Sequence, residues 1–138
     1  MTNVSKKLLT KGQLNKLYTQ LYKAFAQTTT KTAPGFLEEL LGEEERVMLA
    51  KRLGAIYLCI IGASAYTIWM TLNMSPTTAQ RIYDNYNAGL YETIERTITK
   101  NQINFKKACH ILETILNAGF SPRGKGRWDR TIRLMNQK

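Results

Sequence analysis

Residues 53–74 read LGAIYLCIIGASAYTIWMTLNM and contain no charged residue. A run of this length has enough apolar residues to cross a bilayer, for which about 20 suffice. The run also contains signals that end and start helices. Gly62-Ala63-Ser64 places a helix-ending glycine before a residue that caps helix amino ends. Asn73, together with Ser75-Pro76 directly after the run, repeats this pattern. We therefore interpret the stretch as three helices with tight turns at the core of a helical domain, and not as a membrane span.

These turn signals divide the middle of the chain into helices. We predict helices over about 43–61, 65–72 and 76–87, followed by 90–98 and 105–117. The first of them opens with three glutamates, which suit the positive amino end of a helix. Its predicted buried stripe is formed by apolar residues at helical spacing: Val47, Leu49, Ala50, Leu53, Ile56, Tyr57 and Ile60.

An amphipathic helix is predicted nearer the amino terminus. Between residues 13 and 27, apolar side chains three and four positions apart form one stripe: Leu14, Leu17, Tyr18, Leu21, Tyr22 and Phe25. A stripe with this many apolar residues is expected to pack against another part of the protein, and another subunit is one option. The run TTTKTAPG at 28–35 ends the helix, because β-branched residues, Pro34 and Gly35 disfavour its continuation. Leu37, Leu40 and Leu41 follow in a short apolar helix broken at Gly42.

The charge of the chain is concentrated at its two ends. The net charge is +10 and the pI about 9.8, which favour a polyanionic partner such as nucleic acid. Residues 1–37 hold six lysines and no acid, and residues 120–138 are similarly basic. The alternative is that both ends only confer solubility. We divide the chain into a basic amino-terminal dimerisation helix (1–32), a central helical core (33–100), and a carboxyl-terminal helix with a basic Arg/Gly tail (101–138).

The frame IWMTLNMSPTTAQRI at 68–82 has the layout of a helix-turn-helix, in which the second helix presents its first two turns to the DNA major groove. On that layout Ala79, Ile82 and Tyr86 face inward. The outward residues predicted to contact bases are Ser75, Thr77, Gln80, Arg81 and Asp84. Phosphate contacts are predicted for Lys51, Arg52, Ser64, Arg123, Lys125, Arg127 and Arg130.

Three of these side chains suit particular bases. The amide of Gln80 matches adenine, the guanidinium of Arg81 matches guanine or a phosphate, and the methyl of Thr77 matches the methyl of thymine. The helix at 76–87 is therefore the predicted recognition helix for double-stranded DNA.

The segment LEELLGEEERVMLAKRLGAIYLCIIGASAYTIWMTLNMSPTTAQRIYDNYNAG at 37–89 resembles the Trp repressor superfamily. The resemblance covers about residues 14–89, including the amino-terminal helix. It implies an all-α, helix-turn-helix transcriptional regulator that forms an intertwined homodimer through its amino-terminal helices. On this chain the implied dimer contacts are Leu14, Leu17, Tyr18, Leu21 and Phe25.

The resemblance extends only in part to the tryptophan site of that family. The two arginines that hold the indole ring match Arg52 and Arg81. The family's threonine near the ligand is matched by Gly42, and its small glycine beside the second arginine is matched by Ile82, whose side chain would occupy the pocket. We therefore do not expect L-tryptophan to be a ligand, and we expect the two arginines to contact phosphate or bases.

The packing of the predicted helix-turn-helix also departs from the usual pattern. Trp69 stands where such proteins usually have alanine, and Ala79 stands where they usually have valine or isoleucine. A large-for-small change matched by a small-for-large change can preserve the core volume, and it can also change the angle between the two helices.

Other function classes find less support in the residues. The chain has one histidine, and no nucleophile triad, Walker loop or dinucleotide fingerprint, so we do not expect an enzyme or a cofactor. Cys109 and His110 are too few for a metal site. Residues 1–16 are lysine-rich without the apolar run of a secretory leader, so a cytoplasmic, nucleoid-associated protein is expected. The alternative function is a non-specific or architectural nucleic-acid-binding protein, whose basic ends supply its affinity.

Overall fold

The computed structural model describes residues 8–119, with residues 116–119 described by their backbone alone. Regular structure within this range is entirely helical, which confirms the predicted all-α class. The seven helices are α1 (Lys11–Ala26), α2 (Ala33–Leu40), α3 (Glu43–Ile60), α4 (Ala65–Leu72), α5 (Pro76–Asn87), α6 (Glu92–Thr99) and α7 (Gln102–Gly119). The chain divides into two compact units, Met1–Arg46 and Val47–Lys138, and the boundary falls inside α3.

In the first unit, α1 begins with a reciprocal pair of caps. The backbone N–H of Gln13 donates to Thr10 Oγ1 at 3.2 Å, and the Thr10 N–H donates to Gln13 Oε1 at 3.0 Å. This capping box satisfies two donors that lack partners within the helix. The rings of Phe25 and Phe36 lie 6.3 Å apart and join α1 to α2. No residue of α1 is buried.

The start of α2 differs from the sequence-based expectation. α1 ends at Ala26, as the run at 28–35 predicts, but α2 already begins at Ala33 and includes Pro34 and Gly35. Proline is tolerated in the first turn of a helix, because its missing N–H would have no helical acceptor there. The same Pro34 that would break a helix interior therefore opens α2.

The core of the second unit lies where the carboxyl half of α3 meets α4, α5 and α7. Its buried members are Ala55, Ile56, Leu58, Cys59, Ile61, Ala63, Ile68, Ala79, Ile82, Phe105 and Leu112. The rings of Tyr57 and Phe105 are stacked 5.7 Å apart, which joins α3 to α7. A Cβ added at Gly54 would lie 3.5 Å from the methyl groups of Leu72 and 3.7 Å from Leu112, so α3 approaches both neighbours closely from this residue onward.

The predicted buried stripe of α3 is wrong over its amino half. Val47, Leu49, Ala50 and Leu53 are exposed, whereas Ile56 is buried and Tyr57 and Ile60 are half-buried. The physical reason is that α4 and α7 cover α3 only from about Gly54 onward. Helical periodicity identifies an apolar face but not the length over which other elements cover it.

The uncharged run at 53–74 is divided as predicted. α3 ends before Gly62, which has φ 87°, and the N–H of Ala63 donates to the carbonyl of Leu58 at 2.9 Å. This is the Schellman arrangement, in which a left-handed residue turns the chain out of the helix. Within residues 8–119, no helix is both long and apolar enough to cross a membrane.

The later helices begin within a few residues of their predicted starts. Gly89, with φ 79°, ends α5 in the same way, since the N–H of Leu90 donates to the carbonyl of Asn85 at 3.0 Å. α7 begins three residues earlier than predicted, because the side chain of Asn101 accepts a hydrogen bond from the N–H of Asn104 at 3.1 Å and so caps the helix.

The turn between α4 and α5 depends on Asn73, which has φ 48° and ψ 52°. A side chain in the left-handed region costs roughly 1–2 kcal/mol for most residues, and asparagine is among those that tolerate it. We expect Asn73→Val to lower the free energy of unfolding by about 1–2 kcal/mol relative to Asn73→Gly. Urea denaturation of both variants at one protein concentration measures this difference. Equal stabilities would show that the turn does not require a left-handed residue.

Candidate nucleic-acid interface

The two-helix corner formed by α4, the turn at 73–75 and α5 is capped at both helix starts. Ser64 Oγ accepts from the N–H of Thr67 at 3.2 Å, and Ser75 Oγ accepts from the N–H of Thr78 at 3.1 Å. α4 and α5 pack directly on each other. The helix boundaries of this corner are those predicted from the sequence.

The predicted base-contacting residues share one exposed face of α5. Ser75, Thr77, Gln80, Arg81 and Asp84 are all exposed. The opposite face buries Ala79 and Ile82 in the core, and Tyr86 is half-buried. The inward and outward sets therefore separate as the sequence predicts, and the first turns of α5 present polar groups to solvent.

Gln80 and Asp84 form a pair on this face. The Nε2 of Gln80 donates to Asp84 Oδ1 at 2.9 Å, one helical turn further along α5. One amide hydrogen and the Oε1 of Gln80 are left for another partner. The pair therefore keeps the donor and acceptor that an adenine edge would need, while Asp84 restricts the rotation of the amide.

The predicted phosphate-contacting residues lie in different surroundings. Lys51 is half-buried, and its Nζ donates to the backbone carbonyl of Asn73 at 3.0 Å. Arg52 is exposed, as is Arg81, and within residues 8–119 neither forms an ion pair or a side-chain hydrogen bond. Ser64 caps α4, and its hydroxyl also lies 3.0 Å from Thr67 Oγ1. The phosphate contacts predicted for Arg123, Lys125, Arg127 and Arg130 fall outside the described residues.

The carboxyl end of α5 is tied to the next helix. Tyr86 donates its hydroxyl hydrogen to Glu95 Oε1 at 3.3 Å, and Asn85 Nδ2 donates to the Tyr91 hydroxyl at 3.4 Å. Burial, and then the nearby Glu95 carboxylate, raise the pKa of Tyr86 above its usual value. Tyr86 is therefore a neutral donor at physiological pH. These hydrogen bonds connect α5 to α6 on the side away from the exposed face of α5.

Trp69 and Ala79, whose sizes depart from the usual helix-turn-helix pattern, both pack in the core of the second unit. Ala79 is fully buried, and Trp69 is half-buried against the same core. The ring of Trp69 also meets the ring of Tyr66 edge-on, with centroids 5.4 Å apart.

The apolar stripe of α1 is exposed along its whole length. We use the name α1 stripe for these six residues: Leu14, Leu17, Tyr18, Leu21, Tyr22 and Phe25. They include all five predicted dimer contacts. Phe25 meets Phe36 within the first unit, and Tyr18 stacks on Tyr22 along the helix itself. An apolar surface of this extent on one helix is typical of an interface.

The two cysteines are free thiols, of which Cys59 is buried and Cys109 is half-buried. Burial raises the pKa of Cys59 to about 11, and burial is also the main cause that raises the pKa of Cys109 to about 11. Both are therefore protonated at physiological pH. Among residues 8–119, no three histidine, cysteine or acidic side chains are grouped so that they could hold a metal ion.

The sequence-based prediction missed two hydrogen bonds made near the two ends of α5. Lys51 and Asn73 are 22 positions apart in the chain, and nothing in the local pattern relates them. Tyr86 and Glu95 lie on different helices, so their pairing has no local signal either. The Gln80–Asp84 pair does carry a signal, since residues four apart are neighbours on a helix.

Comparison of the chain with protein-family models, with curated protein sequences and with solved structures gives no match.

Proposed function

We propose that this protein is a homodimeric transcriptional regulator that reads double-stranded DNA with α5 as the recognition helix of a helix-turn-helix. One observation carries the proposal: α5 starts at a capped turn and presents Ser75, Thr77, Gln80, Arg81 and Asp84 to solvent from its first turns. The amino-terminal turns of a recognition helix are the part that meets base edges in the major groove.

The roles within α5 follow from the chemistry of its side chains. Gln80 binds adenine through its remaining amide hydrogen and Oε1, and Arg81 donates hydrogen bonds to the O6 and N7 of guanine. The methyl group of Thr77 meets a thymine methyl. Arg52 contacts a phosphate, because its guanidinium is exposed and unpaired within residues 8–119.

A homodimer is part of the proposal, because one recognition helix reads only a half-site. The exposed α1 stripe supplies an apolar surface for a second copy. Two copies related by two-fold symmetry would read a site with two-fold symmetric halves.

L-tryptophan is not proposed as an effector. The resemblance to the Trp repressor superfamily places Ile82 where the ligand pocket would need a glycine. The side chain of Ile82 is buried in the core of the second unit.

Replacement of Arg81 tests the reading of bases. We expect Arg81→Ala to lose about 1–3 kcal/mol of discrimination at one base position, because the variant no longer pairs with guanine. The measurement is a competition series in which each base pair of the best duplex recovered from a random pool is changed in turn. The variant should tolerate changes at one position per half-site and remain selective at the others.

Arg52→Ala is the matched control, since it removes one exposed arginine from the neighbouring helix α3. We expect it to weaken all duplexes alike and to lower the salt dependence of log K by about 0.9 for each phosphate that the variant no longer neutralises. If both variants show the same uniform loss, α5 does not read sequence.

A non-specific nucleic-acid-binding protein is the second candidate. The observation that favours it is the distribution of charge: residues 1–37 hold six lysines and no acid, and residues 120–138 are also basic. Such ends supply affinity through counterion release without reading bases. Uniform binding to all duplexes with a steep salt dependence would favour this candidate.

A further inference from the structure

Lys51 connects the middle of α3 to the turn of the two-helix corner. Its ammonium donates to the carbonyl of Asn73 at 3.0 Å, across 22 positions of the chain. Asn73 is the left-handed residue that ends α4, and the cap of α5 follows at Ser75. The hydrogen bond therefore lies on the short peptide segment that sets the direction in which α5 leaves α4.

The electrostatics of this contact favour a cation at that place. The carbonyl groups at the carboxyl end of a helix lack helical partners and carry the negative end of the helix dipole. An ammonium donor satisfies one carbonyl there and neutralises that partial charge. Lys51 is half-buried, whereas the neighbouring Arg52 is exposed. The two adjacent cations of α3 are thus in different environments, and within residues 8–119 only Lys51 of the two donates a side-chain hydrogen bond.

We infer that Lys51 is a positioning residue, which holds the turn so that α5 enters the major groove at a fixed angle, and that it is not a phosphate contact. This inference rests on the proposed function, because it assigns a role within DNA recognition by α5. It replaces the phosphate contact that the sequence alone predicts for Lys51. Arg52 keeps its phosphate role.

The test separates the two roles by their salt dependence. The full chain and its Lys51→Met and Lys51→Arg variants are titrated with the best selected duplex and with a random duplex over a series of salt concentrations. Removal of a phosphate contact lowers the slope of log K against log salt by about 0.9, and hence by about 1.8 for the two copies in a dimer. Removal of a positioning residue leaves that slope unchanged.

We expect Lys51→Met to weaken binding to the selected duplex by about tenfold, the effect of losing one hydrogen bond with a charged donor. Binding to random duplex and the salt slope should stay unchanged. Lys51→Arg keeps a cationic donor, so most of the specific affinity should return. Lys106→Met, which removes an exposed lysine from α7, is the matched control for the loss of charge and should not change the preference for the selected duplex.

Each other outcome overturns the inference. A salt slope that falls by about 0.9 per copy in Lys51→Met would restore the phosphate role. Unchanged specific affinity, or no recovery in Lys51→Arg, would show that the contact with Asn73 does not position α5. If Lys51→Met does not fold, Lys51→Arg is the deciding variant. Since arginine is also a cationic donor, a positioning role predicts that this variant keeps its preference for the selected duplex and the slope of log K against log salt. Uniform binding of every duplex by the unchanged chain would overturn the proposed function together with this inference.

Discussion

A chain carrying both Leu17→Asp and Leu21→Asp is expected to be monomeric and to bind a two-fold DNA site about 100-fold or more weakly than the unchanged chain. The two leucines belong to the α1 stripe, where Leu17 is 56% and Leu21 40% exposed in the single chain. A carboxylate buried without a partner in an apolar interface is costly, so the aspartates prevent association. A monomer then loses the gain from binding two linked half-sites, which is about 10²–10⁴.

Two measurements check this prediction: the mass in solution by light scattering, and the affinity for duplexes with one or two half-sites. Thr19→Asp with Gln20→Asp is the matched control, since it adds the same two charges to the exposed polar face of α1. The control should remain dimeric and keep its preference for two half-sites. If both double variants lose binding equally, added negative charge explains the loss and the α1 stripe is not the interface.

Truncation of Ile68 is expected to have the largest effect on stability, a loss of about 2–5 kcal/mol in the free energy of unfolding. Ile68 on α4 is fully buried at the centre of the core of the second unit. Its replacement by alanine removes apolar contacts and leaves a cavity that the surrounding helices fill only in part. Since whole domains are stable by about 5–15 kcal/mol, this loss is a large fraction of the total.

Urea denaturation of Ile68→Ala measures the loss, at one protein concentration because dimerisation makes stability depend on concentration. Met70→Ala is the control on the same helix, where Met70 is 44% exposed and should cost less than about 1 kcal/mol. Equal losses in the two variants would mean that α4 does not bury Ile68 more than Met70 in solution.

The parts of the fold that the sequence predicts are those set by local signals. The caps Ser64 and Ser75 and the left-handed Asn73 act through residues within one turn of them, so the bounds of α4 and α5 follow from the sequence. The exposed face of α5 follows in the same way, because helical spacing separates Gln80 and Arg81 from buried neighbours.

Contacts between distant residues explain what the sequence does not predict. Leu49 and Leu53 lie on the apolar face of α3. They are exposed in the single chain because α4 and α7 pack on α3 only beyond them. The hydrogen bond from Lys51 to Asn73 depends on the approach of α3 to the turn. The sequence predicts a phosphate contact for Lys51, and its hydrogen bond to Asn73 becomes visible only in the folded chain.

The most direct test of DNA reading by α5 is to sequence the duplexes that the purified protein recovers from a random pool at near-physiological salt. We expect one enriched motif with two-fold symmetric half-sites, and loss of one base preference in each half-site when Arg81→Ala replaces the unchanged chain. Strong recovery of duplexes without any enriched motif would contradict sequence-specific recognition and would identify a protein that binds nucleic acid through its basic ends.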